Sequence, residues 1–408
     1  MAVAALPSLL TEVETAVGAS RPEAVEAAIK AFRAKAPPLE LVRAAARGVA
    51  LHYDRASGVA PRSLAILGAA ANLTTVMEPR DQVLPVLQAI AYAASEKKPA
   101  APAKPPLIVS GEVTHLGRSF LFAVRAGDVA EAESIFLGMV DEDWERKMAG
   151  DMLFRAALED MGEGGRKLFL SVKSWQLARS LGFKGARTIL RPAVDYLVKG
   201  PRDRTAYETI LAVLGKQWVD LEALASGGRP LDEPGRKRMH LIVSAPSDAA
   251  CIDATLALLR DGYAASVLAE GLVVAAARRL LTAKGYDTEA ARRFLFAHAS
   301  RFVLNFSRTS ERLYVLFQAA LRVRSPEPKV YGEVDEETVV SKLDVIANLG
   351  SRDSPIANEG YNLLLADACI TEFVATRAAP IVLALARMTE ASPKDQAAYK
   401  SWAPLFGP

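Results

Sequence analysis

Apolar residues return every three or four positions along almost the whole chain, with polar residues filling the gaps. Leu9, Val13 and Val17 form one such stripe, and Val25, Ala28 and Phe32 form the next. This spacing predicts amphipathic helices, about five of them over residues 5–95. Pro37-Pro38 parts the second helix from Leu39–Tyr53, and Gly58-Val59-Ala60-Pro61 parts that one from Ser63–Met77. Asp81 is expected to cap a helix over Val83–Ala94. Connections this short predict antiparallel neighbours.

The period is lost at Ser95–Pro106, where Pro, Ala and Lys alternate as in an exposed polyproline-like connector, either an inter-domain linker or a long crossover between layers, with the linker preferred. It resumes at Ser110–Ala126, with Ser110 as the expected cap, and continues through Asp141–Leu158, Arg166–Leu181, Lys184–Val198 and Asp203–Ala225. Ala126–Phe136 reads like the inner turn of a helical-hairpin repeat, but no fixed period recurs over three copies. After the loop around Ser226–Pro234, helices are predicted at Ala249–Leu259, Tyr263–Lys284, Thr288–Phe306, Ser310–Val323, Glu336–Asn348, Asn358–Val374 and Ala379–Met388. Only Leu107–Val109 and Leu241–Val243 could be short strands. The expected fold is all-α: antiparallel hairpins in an α-solenoid-like array or an irregular bundle. Its expected parts are an N-terminal bundle (1–95), a linker (96–109), a central domain (110–225), a loop (226–246) and a C-terminal domain (247–408).

Charge narrows the functional classes. Fifty basic side chains against 47 acidic ones leave a net +3, which provides no uncompensated basic face for nucleic acid. The most apolar run, Tyr263–Ala277, is too short to span a bilayer. The N-terminus has no basic residue ahead of its apolar stretch and reads as a first helix, not a signal peptide. Cys251 and Cys369 sit in apolar helical surroundings with no Cys-x-x-Cys pair, as buried free thiols of a cytoplasmic protein.

Four histidines and two misplaced carboxylates carry the candidate chemistry. His52 ends a helix and suits its negative pole; His240 follows the basic run Arg236-Lys237-Arg238, which reads as a solvated helix start. His115, on a face with Ser119 and Phe122, and His298, with Phe294 and Phe302, read as hydrogen-bonded core histidines. Glu270 and Asp367 lie inside apolar stretches, so each needs a cation, a donor or a metal. Arg166, Lys173, Arg301 and Arg308 are available to pair with them. A sharper alternative gathers His115, Glu270 and His298 as metal ligands or acid/base groups. Phosphate-loop, Gly-x-Ser-x-Gly and His-Glu-x-x-His signatures are missing. Gly162-Glu163-Gly164-Gly165 ahead of Arg166 could cradle an anion at a helix start, and a flexible helix entry is the plainer account of the same glycines.

Gly165-Arg166-Lys167 through Ser174-Trp175, then Leu181-Gly182-Phe183, Ile189-Leu190-Arg191 and Tyr196-Leu197, resembles an uncharacterised bacterial all-helical family with Gly-His-Lys and Ser-Trp blocks. Ser244, Pro246, Ala249-Ala250-Cys251, Leu258-Leu259 and Gly262 are similar to a second block, and His298-Ala299 to a third. The resemblance covers most of residues 150–310. Some relatives are associated with Rieske-type domains, which implies histidine-held iron or another transition metal. Here Arg166 stands where the family has histidine, and a guanidinium has no lone pair to give a metal. The resulting expectation is a binding or scaffolding protein without an intact metal site and without a cofactor. It would recognise a partner protein or a small anionic ligand through Gly165, Arg166, Lys173 and Trp175 on one cationic-aromatic helix face, with self-association as a further option. The alternative is a metal-dependent oxidative enzyme built on the histidine and glutamate cluster.

Overall fold

The computed structural model describes residues 6–140, 143–325, 356–393, 400 and 402. Helices α1 (Leu6–Gly18), α2 (Ala24–Arg33), α3 (Pro38–Leu51), α4 (Arg62–Leu73) and α5 (Val83–Ser95) form the first group. Next come α6 (Val113–Ala126), α7 (Val129–Met139), α8 (Asp143–Leu158), α9 (Gly162–Ser180), α10 (Ala186–Lys199), α11 (Thr205–Lys216) and α12 (Leu221–Ala225). Then follow α13 (Glu233–Val243), α14 (Asp248–Arg260), α15 (Ala265–Leu281), α16 (Thr288–Phe306), α17 (Leu313–Val323), α18 (Tyr361–Thr376) and α19 (Ala379–Ala391). The fold is all-α; among the described residues the sole β feature is an isolated bridge between Arg229 and Tyr263. No helix among them is long and apolar enough to cross a membrane.

Several local expectations change. Leu241–Val243 is the last turn of α13, a helix inside the stretch expected to be a loop. Asp232 caps it by accepting from the Gly235 amide, and Pro234 stands in its first turn, where a missing N–H costs nothing. Leu107–Val109 is not a strand. Glu112 replaces Ser110 as the cap of α6, accepting from the Thr114 and His115 amides. At α5 the capping position is Gln82 and no side chain bonds the first turn, so Asp81 does not cap it. Asp203–Ala225 breaks into α11 and α12 around Trp218, whose φ is +50°. The predicted helix Glu336–Asn348 lies outside the described residues.

The Pro/Ala/Lys stretch is tied down as it crosses the helices. The Ala103 amide donates to the Leu51 carbonyl, and the Pro99 and Lys104 carbonyls accept from His52 and Arg191.

Sequence neighbours pack as hairpins, such as α6 on α7 and α15 on α16, but the centre is assembled from distant segments. Helix α4 packs on α9, α9 on α16, α16 on α18 and α18 back on α4, closing a ring. Ser63–Ala71 of α4 are buried on every side, as expected of a helix that is apolar all round. Gly68 allows its close approach to α9: a Cβ there would lie 3.1 Å from the Lys173 carbonyl oxygen.

Candidate functional site

All four helices of the ring run the same way. Arg62, the Glu163–Arg166 turn, Arg292 and Tyr361, each in the opening turns of its helix, line one cleft. Asn72, Ser180, Arg301 and Glu372, farther along the same helices, lie at the other end. Four co-directional helices bring four positive poles together, each equivalent to about half a charge. Glu163, Glu289 and Glu359 stand at this end and offset part of that field, pairing with Arg166, Arg292 and Arg62.

The cleft is narrow, about 450 Å³ with its open mouth included. One wall is an unusual turn: Glu163, Gly164 and Gly165 take φ values of 51°, 73° and 82° before α9 becomes right-handed at Arg166. Glycine is required at the third position on two counts, because a Cβ on Gly165 would sit 2.3 Å from the Phe296 ring. Glu163 has no such freedom, and a left-handed conformation costs a residue with a Cβ about 1–2 kcal/mol. Its carboxylate is held by the Arg166 guanidinium at 2.9 Å and the Tyr196 hydroxyl at 2.5 Å.

Tyr361 organises the opposite wall. It is 3% exposed, and its hydroxyl oxygen accepts from Arg292 Nε at 3.0 Å and from Arg62 Nη2 at 3.5 Å. Among the described residues this hydroxyl accepts but donates to no partner, so it keeps a donor for a ligand. The floor is apolar, with Ala65, Phe169, Leu170, Leu295, Phe296 and Leu364.

About two helical turns deeper, ~10 Å along the axes, the same helices hold a buried polar chain. Lys173 Nζ donates to Asp367 Oδ2 at 2.6 Å and to His298 Nε2 at 3.2 Å. Since an ammonium only donates, Nε2 must be the acceptor and the imidazole proton sits on Nδ1. From there it is donated to Glu372 Oε1 at 2.7 Å, and Arg301 Nε donates to Glu372 Oε2 at 2.5 Å. Asn72 Nδ2 completes the Asp367 end at 3.2 Å, and Glu270 approaches Arg301 at 3.7 Å.

Burial and the adjacent ammonium push the His298 pKa below its usual value. Burial alone would raise the Glu372 carboxyl, but His298 and Arg301 hold it below the ordinary range. Cys369, on the same helix, is driven well up by desolvation. Asp367 and Glu270 thus find their cations in Lys173 and Arg301, two of the four that the sequence offers.

The residues expected to share an exposed face do not. Gly165 and Arg166 line the cleft, whereas Lys173 is 0% and Trp175 2% exposed. Positions 173 and 175 lie about 200° apart on a helix, and both sides of α9 are covered, by α4 and α16 and by α8 and α10. Trp175 packs edge-on against Phe154, Phe183 and Phe306 at 5.3–6.0 Å between ring centres.

The metal trio is not assembled either. His298 is buried, Glu270 is half-buried, and His115 is exposed in the first turn of α6. That helix packs on α7, α8 and α10, not on α15 or α16. His115 is therefore a surface residue, contrary to its reading as a core histidine, because α6 turns Leu116, Phe120, Leu121 and Val124 inward. No group of three or more His, Cys, Asp or Glu placed to hold a metal occurs among the described residues.

Sequence reading did not single out Arg62, Arg292 and Tyr361 as site residues. Tyr361 opens a predicted helix, and nothing in its local spacing marks it as a bridge between two arginines far away in sequence. Compared with known proteins, the chain matches no family model, no curated protein and no solved structure.

Proposed function

We propose that the protein binds a small oxyanion in the cleft where α4, α9, α16 and α18 begin. The observation that carries this reading is the convergence of Arg62, Arg166, Arg292 and the Tyr361 hydroxyl on one cleft. Arginine presents several N–H groups in a planar fork, so its pairing with one glutamate leaves donors for a carboxylate or phosphate. The helix poles favour the same charge. Among the expected ligands, a small anion is better supported than a protein partner, since Lys173 and Trp175 face the interior.

Calorimetric titration of the full chain with inorganic phosphate tests the reading. Arg292→Ala and Arg166→Ala each remove a charge-assisted contact worth about 1.5–3 kcal/mol, so affinity should fall about tenfold or more. Tyr361→Phe should weaken binding with the fold intact. Unchanged affinity in Arg292→Ala and Arg166→Ala would refute an anion site here.

A further inference from the structure

The walls of the cleft carry three arginines, Arg62, Arg166 and Arg292, against one carboxylate, Glu163. In the next layer Arg293 and Arg322 stand against Glu289 and Glu359, which pair with this group, and Asp287 caps the start of α16. The walls alone therefore carry an excess of two positive charges, before the helix poles are considered. Beneath these groups the surface changes character. Phe169, Leu170, Leu295 and Leu364 offer carbon only, and Phe169 and Leu364 are 8% and 5% exposed. A bare ion satisfies the guanidinium groups and leaves the accessible edges of Phe169 and Leu364 against water, whereas a ligand with an apolar portion covers them and gains the transfer free energy. Selective small-molecule sites commonly combine mostly apolar walls with a few convergent polar groups.

We infer that the occupant of the cleft is amphipathic: a doubly charged oxyanion head, of the phosphate-monoester class, carried on a compact apolar body. The inference rests on the anion-site reading above and adds the two halves of the ligand to it. The head meets Arg62, Arg166, Arg292 and the Tyr361 hydroxyl. The body lies on Phe169 and its aliphatic neighbours, and the narrowness of the cleft limits it to about one ring or a short branched chain.

The test is calorimetry on the full chain with phenyl phosphate, inorganic phosphate and benzoate. Phenyl phosphate should bind about tenfold or more tighter than inorganic phosphate, the gain expected for burying one ring. Its binding heat capacity should also be the more negative of the two. Benzoate, with the ring and a single charge, should bind more weakly than phenyl phosphate. Phe169→Leu, which keeps an apolar side chain and loses the ring face, should weaken phenyl phosphate severalfold and leave inorganic phosphate unchanged. The heat-capacity comparison needs no variant and stands if Phe169→Leu fails to fold. Equal affinity for phenyl phosphate and inorganic phosphate would overturn the apolar body while leaving the anion site in place. Benzoate as tight as phenyl phosphate would overturn the doubly charged head. Silence from all three ligands would overturn the anion site, and this inference with it.

Discussion

Removing Lys173 tests the buried polar chain most directly. Its ammonium and the Asp367 carboxylate are 2.6 Å apart and only 0% and 2% exposed. At an effective dielectric of about 20 their attraction is worth about 6 kcal/mol. Desolvation of both ions takes back several kcal/mol of this, so the net worth of the pair is small. The cost of breaking it is large, because the surviving charge stays buried. Lys173→Met leaves Asp367 with only the Asn72 amide and deprives His298 Nε2 of its donor, and should destabilise by about 3–5 kcal/mol. Lys173→Met combined with Asp367→Leu replaces both ions by apolar groups of similar bulk and should recover most of that loss, a coupling of about 2 kcal/mol or more. Urea unfolding followed by tryptophan fluorescence and by circular dichroism reads both. If Lys173→Met lies within about 0.5 kcal/mol of the parent, or if the double variant loses the full sum of the single losses, the pair is not the buried, interdependent unit described here.

Other outcomes follow from the same geometry. The His298 pKa is lowered in the folded state from 6.5, so the unfolded chain takes up the proton first. Stability should therefore be complete above about pH 6.5 and decline as pH falls through the folded-state value. Glu372, lowered from 4.5, should extend the loss at lower pH. His298→Gln should flatten the first part of the profile, and a slope unchanged between pH 5 and 6.5 would contradict the assignment. Gly165→Ala meets the Phe296 ring as well as a φ of +82°, whereas Gly182→Ala, at φ +64°, has nothing within 4 Å. The first should cost about 2–4 kcal/mol in thermal unfolding and the second about 1 kcal/mol; equal costs would refute the close packing at Phe296. Cys251 and Cys369 are buried, and desolvation pushes the Cys251 thiol up to about 12. Both should resist a thiol reagent in the native protein and react once it is unfolded.

The helices themselves were legible because each is a local matter of apolar period, cap and breaker. Thr288–Phe306 matches its predicted span residue for residue, and α14 (Asp248–Arg260) exceeds its predicted Ala249–Leu259 by one residue at each end. Burial of two acids within apolar runs also announced that Asp367 and Glu270 would need cations. Direction on a helix was legible in principle too: Lys173 and Trp175 cannot share a face, since two residues turn a helix by about 200°.

What local pattern cannot carry is which distant helices meet. The ring of α4, α9, α16 and α18 joins residues separated by almost 300 positions, as in the contact of Arg62 with Tyr361. Apolar stripes are nearly interchangeable as partners, because burial free energy is non-directional; only the packing of the whole chain selects among them. The sequence by itself determined an all-helical chain, because apolar period, caps and breakers act locally. The tertiary structure decided that four helix starts, three arginines and one tyrosine hydroxyl would face a common space, with a buried ion pair about two turns below.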